Sequence, residues 1–176
     1  LADQASAEPI AREALLAPAR SRDAELRDAA LEALRAAGAG NELTVLMNEG
    51  SDQAAQILAR AIPGRALLVL LPALEAEDGV SREGLRAAIA DALQRAPAEA
   101  VPVCATWASE PRSIEASAIV AEALGRVGEG ELGTTLLRSA AQRAESFEQL
   151  WRVIAAAAEL PADAELDAWL AARGQD

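Results

Sequence analysis

Cys104 is the only cysteine, and histidine is absent. Without histidine there is no Ser-His-Asp or Cys-His nucleophile, no imidazole general base and no histidine-bearing zinc or iron site. A single cysteine also excludes zinc ribbons and CxxC redox pairs. Cys104 lies in the apolar run Val101-Pro-Val-Cys104-Ala, which predicts a buried free thiol with no base or cation to activate it. Gly125-Arg-Val-Gly128-Glu-Gly130 lacks both the spacing and the preceding strand of a dinucleotide loop, and reads as a helix end and turn. Carboxylates gather at Glu129 and Glu131 and at Glu75, Glu77 and Asp78. Both groups fall in predicted turns, where acids are solvated, and neither has EF-hand spacing. The sequence therefore predicts no catalytic residue, no metal ligand and no cofactor.

Three tryptophans remain, a residue type that serves binding hot spots as well as cores. Trp151 shares a helical face with Phe147 and Ile154 and is expected in the core. Trp169 is expected to seal a terminal helix, and Trp107, near a helix end, is the candidate for a partly exposed ligand contact.

Charge narrows the partners. The chain has 176 residues, 28 acidic and 16 basic, a formal net charge of −12, and every basic residue is arginine. Such a balance repels phosphates, so it argues against nucleic acid and against an anionic membrane surface. A basic protein surface fits better. The longest apolar stretch, Ala66 to Leu74, is far short of the roughly 20 residues that cross a bilayer, so no membrane insertion is expected. Leu1 in place of a starting methionine suggests an excised or mature piece of a longer bacterial-type chain, cytoplasmic or, if a leader was removed, periplasmic.

The elements that position these residues are helices. Hydrophobic residues make up 52% of the chain and aromatics only 2%, so the apolar surface is mostly Ala, Leu, Val and Ile, and Ala and Leu are strong helix formers. A repeat runs through them. Asp23-Ala-Glu25, Ser51-Asp-Gln53, Ser81-Arg-Glu83, Ser113-Ile-Glu115 and Ser146-Phe-Glu148 each open a helix. The side-chain oxygen caps a free amide, and the acid meets the positive end of the helix dipole. The Ser-x-Glu spacing is one residue short of a capping box, so no reciprocal bond is expected.

Behind the caps, apolar residues keep helical spacing, as in Leu26, Ala30 and Leu34 or Leu85, Ile89 and Leu93. Stops follow at Gly38, Pro63-Gly64, Pro97, Gly128 and Pro161. Shorter first helices lie between, near 5–18, 42–48, 65–76, 99–109 and 131–143, and 163–172 forms a terminal cap. For the run from Ala66 to Leu74 a strand is the competing reading, which Pro72 and the helical neighbours oppose.

The unit Leu67-Leu-Val-Leu-Leu-Pro-Ala-Leu-Glu-Ala-Glu-Asp78, followed by Ser81-Arg-Glu-Gly-Leu-Arg-Ala-Ala-Ile-Ala-Asp-Ala-Leu93, resembles the short HEAT-like repeat associated with phycobilisome lyases. Asp23 to Gly38 and Ala118 to Gly128 resemble its second helix. The family's hydrophobic-Arg pair appears at Leu26-Arg27 and Leu85-Arg86 and is missing after Ser51 and Ser113. The resemblance implies one all-α domain, a right-handed α-solenoid of about five antiparallel helix pairs with approximate repeats 1–38, 39–64, 65–97, 98–128 and 129–160 and a cap over 161–176.

It also implies that the second helices line a concave face. Their polar positions Glu25, Glu32, Glu83, Arg86, Asp91, Glu115, Glu122, Glu148 and Arg152 form the candidate binding strip, joined by Trp107. The strip is mainly acidic, so the expected function is a non-catalytic scaffold for a protein partner with a basic segment, or for a neighbouring domain. Two rivals stand beside it: a helper domain holding a cofactor or substrate for an enzyme, in a pocket at Trp107 or Cys104, and a plain spacer.

Overall fold

The described residues, 10–76 and 79–173 of a computed structural model, form helices and no strand. In chain order they are α1 (Leu16–Ala19), α2 (Ala24–Ala36), α3 (Gly40–Asn48), α4 (Asp52–Ala61), α5 (Pro63–Ala73), α6 (Arg82–Arg95), α7 (Pro97–Ala108), α8 (Ile114–Arg126), α9 (Gly130–Arg143), α10 (Phe147–Ala157) and α11 (Ala164–Arg173). A helical stretch over 10–14 precedes α1. None of these helices is long and apolar enough to cross a membrane.

The caps read from sequence are in place. Asp23 accepts from the N–H groups of Glu25 and Leu26, Ser51 from Ala54, Ser81 from Gly84, Ser113 from Ala116 and Ser146 from Gln149. Each satisfies an amide that has no partner within its helix and contributes about 1 kcal/mol. Ser146 goes further than its Ser-x-Glu spacing predicts. The residue at its third helical position is Gln149, whose side-chain oxygen accepts from the Ser146 N–H at 3.3 Å and completes a capping box.

At the other ends, Gly38 and Gly128 take φ of 62° and 86°, the left-handed region that glycine enters without a Cβ penalty. The next amides, Ala39 and Glu129, donate back to Leu34 and Leu124, so the last carbonyls of α2 and α8 are not orphaned.

Two prolines do more than stop a helix. Pro63 and Pro97 occupy the first positions of α5 and α7, where the missing N–H has no helical partner anyway. Each first helix therefore starts two residues before its predicted Arg65 or Glu99. The run from Ala66 to Leu74 is helical, not a strand, because Pro72 falls in the last turn of α5, close to where the helix ends. The predicted helix over 5–18 is described only from residue 10, and the acids Glu77 and Asp78 lie outside the described residues.

Consecutive helices from α1 to α10 pack on one another, and α2, α4, α6, α8 and α10 also pack side by side in an unbroken row. Among the odd-numbered helices α1 meets α3, α5 meets α7 and α9 meets α11, while α3–α5 and α7–α9 touch marginally at most. No described helix makes more than marginal contact with one three or more places along.

Small residues set the close spacing of the row: Ala54, Ala55, Ala59, Ala88, Ala92, Ala116 and Ala121 are fully buried. Leu58, Leu67, Leu70, Leu85, Ile89 and Leu93 fill the space between the two sides, each contributing about 1.5–3 kcal/mol by leaving water.

The expectations for Trp107 and Trp151 are overturned. Trp107 is 7% exposed and belongs to the core, whereas Trp151 is 59% and Phe147 79% exposed. Leu26, one of the apolar residues at helical spacing behind the Asp23 cap, is also exposed. Trp169 and Leu170 are half-buried against the core beside buried Leu166, as a terminal helix requires.

Candidate functional site

Arg82, Glu83 and Arg86 stand on α6, Glu115, Glu122 and Arg126 on α8, and Arg152 and Glu159 on or just beyond α10. The three helices are neighbours in the even-numbered row, so these side chains line one groove of about 380 Å³. Its floor is Ala118, Ile119, Ala155 and Ala156. Small floor residues follow from the close spacing of the helices; the long charged residues other than Glu122 rise at the margins, where their heads reach water.

Ion pairs cross the groove from helix to helix. Glu122 is the pivot: its side chain is 9% exposed, Arg86 of α6 pairs with it, and Arg126 of its own helix bonds it at 2.5 Å. Burial of that carboxylate is tolerable because both of its oxygens accept from a guanidinium. The hydrogen bond to Glu122 pushes the Arg86 pKa above its ordinary value, against the opposing effect of burial. Glu115 accepts from Arg152 of α10 at 2.9 Å and lies 4.0 Å from Arg82 of α6. Arg152 also holds Glu148 at 2.9 Å, and that bond, ahead of the field of Glu115, raises its pKa. Arg126 approaches Glu159 at 3.8 Å.

The groove thus gathers Glu83, Arg86, Glu115, Glu122 and Arg152 from the predicted strip and leaves the rest outside. Glu148 touches it only through Arg152. Asp91 sits further along α6, bridged by Arg60 of α4 at 3.0 Å and by Arg95 at 2.9 Å. Glu32 pairs with Arg35 on the exposed side of α2, and Glu25 stands in the first turn of that helix. Trp107 is not a surface contact at all. It is buried in α7 with Arg112 stacked 5.0 Å above its ring and bonded to its carbonyl oxygen at 2.9 Å.

No protein-family model, curated protein or solved structure matches the chain.

The groove is not mainly acidic. Four arginines face four glutamates, because Arg82 and Arg126, absent from the predicted strip, stand beside the acids already named. Helical spacing could have found them: Arg126 is four residues after Glu122, and Arg82 opens the helix that carries Arg86. Glu83 is the exposed acid of the groove outside these ion pairs.

Cys104 is fully buried, and desolvation pushes its thiol up to about 12, so it offers no nucleophile at neutral pH. Among the described residues no three Cys, Asp or Glu side chains converge to hold a metal ion.

Proposed function

We propose that the chain is a HEAT-like α-solenoid scaffold, without catalytic activity, which receives a segment of a partner protein in the groove across α6, α8 and α10. The observation that carries this reading is the groove's construction. Its floor is three alanines and Ile119, and its margins carry both charges, a pairing that suits a polypeptide with apolar and charged positions of its own. Packing limited to helices one and two places apart supports the solenoid, since each pair then hides its apolar side on its neighbours.

A partner with basic positions is favoured by the exposed Glu83 and by the net charge of −12. The rival pocket for a cofactor has little support, because Trp107 and Cys104 are both packed inside the protein.

The test is selection of displayed peptides on the wild-type chain, followed by counter-selection on Glu83→Trp, which places bulk at the α6 margin without touching the core. The reading expects a family of related peptides that bind the wild type and are lost on the variant. Peptides that bind both equally, or no enrichment at all, reject the groove.

A further inference from the structure

Among the described residues two buried side-chain polar atoms have no hydrogen-bond partner, the Ser117 hydroxyl oxygen and the Trp107 indole nitrogen. A polar group that gives up water without a replacement destabilises the fold, so native proteins keep few of them. Ser117 is fully buried and stands two residues from Glu115 on α8, which turns it about 200° away from the groove. On that side it backs a cleft of about 390 Å³, walled by Ala105 and Ala108 of α7 and by Leu132 and Leu136 of α9. Trp107 lies beneath Arg112, a residue of the cleft's rim that stacks 5.0 Å above its ring.

The rim carries an unspent charge. Arg112 holds Glu110 at 3.0 Å, so the acid beside the cleft is already neutralised. Arg143, exposed at the end of α9, donates to the Ser139 carbonyl at 2.9 Å and to the Arg112 carbonyl, and it forms no ion pair among the described residues. The cleft thus joins a free guanidinium at its mouth, apolar walls behind it and an orphaned hydroxyl at its back.

We propose that this cleft binds a small organic acid with an apolar body and an uncharged oxygen at its far end. The carboxylate meets Arg143, the body lies between the alanines of α7 and the leucines of α9, and the far oxygen bonds the Ser117 hydroxyl. α7 and α9 touch each other marginally at most, so the walls are held through α8 and can part to let that oxygen reach Ser117. A carboxylate fits the mouth and not the back, because a charge among leucines and alanines has no counter-ion. The cleft shares no lining residue with the groove across α6, α8 and α10, so either reading can fail without the other.

The experiment is calorimetric titration of the whole chain with three probes: 3-(4-hydroxyphenyl)propanoate, 3-phenylpropanoate, which lacks the far oxygen, and 4-hydroxyphenethylamine, which carries the opposite charge. The same titrations are run on Arg143→Gln and Ser117→Ala, with each fold checked by circular dichroism and urea unfolding. The hydroxylated acid is expected to bind the wild type saturably and Arg143→Gln at least about tenfold less tightly. Loss of the far oxygen, or of the Ser117 hydroxyl, is expected to weaken binding by about three- to tenfold. The amine is expected to show no saturable binding. Without ligand, Ser117→Ala should raise the urea midpoint, because it removes an unpaired buried hydroxyl, and a merely structural serine would lower it. No saturable binding of either acid, equal affinity for Arg143→Gln, equal affinity of the two acids, or a lower urea midpoint for Ser117→Ala overturns the proposal.

Discussion

Asp52 holds Ser81 by both of its donors, the backbone N–H at 2.9 Å and the hydroxyl at 2.7 Å. The same hydroxyl accepts from the Gly84 N–H at 2.9 Å, so it joins α4 to the first turn of α6 while capping that turn. Asp52→Ala is expected to cost about 1–2 kcal/mol in urea unfolding, and Ser81→Ala a similar amount. The two losses should not add, because each removes the bond the other needs; a double-mutant cycle with no coupling would show that the bridge does not form.

Gly125 fixes how closely α8 approaches the chain after α10. A Cβ there would meet the Glu159 carbonyl oxygen at 2.5 Å and a Leu160 methyl at 2.7 Å. Alanine in an ordinary helix interior gains about 1 kcal/mol over glycine. Here the opposing atom is backbone and cannot rotate away, so Gly125→Ala is expected to lose about 1–3 kcal/mol, measured by the shift of the urea midpoint.

Acid should loosen the terminal helix. Arg138 first, and then the Leu166 N–H, hold the Asp163 carboxyl below its ordinary value of 3.8. A depressed carboxylate stabilises the fold above the unfolded value and loses that effect as pH falls from 3.8 through the lower folded value. The indole N–H resonance of Trp169, on α11, should therefore titrate below 3.8, and Asp163→Asn should abolish that step. An unchanged step in the variant would assign the transition to another group.

Cys104 is expected to ignore thiol reagents in the native state. Its sulfur is buried and its thiol pushed up to about 12, so the reactive thiolate is scarce until the chain opens. The rate of labelling in increasing urea should follow global unfolding; fast labelling without denaturant would mean that α7 opens on its own.

The starts of the even-numbered helices are legible in the sequence because a cap is local. Ser51, Ser81, Ser113 and Ser146 need only the next three residues to do their work. The odd-numbered helices are less so, since Pro63 and Pro97 end one element and begin the next with the same ring. Trp151 and Trp107 show where local pattern fails. Periodicity places Trp151 on an apolar face, but whether that face is covered depends on tertiary packing that local spacing does not carry, and among the described residues Trp151 is exposed. Trp107 is drawn inside although it sits one residue from the end of α7, and its cover comes from Arg112, beyond that end. The groove is half legible: Glu83, Arg86, Glu115, Glu122 and Arg152 follow from helix spacing, whereas charge balance depends on which arginines the packing brings alongside.

The habit of each helix to lean on partners only one or two places away bears on how the protein comes into being. No distant stretch has to arrive before an early one can settle, and chains with such short-range contacts fold quickly. Each newly made pair can organise against its predecessor while synthesis continues, leaving few oily intermediates to clump.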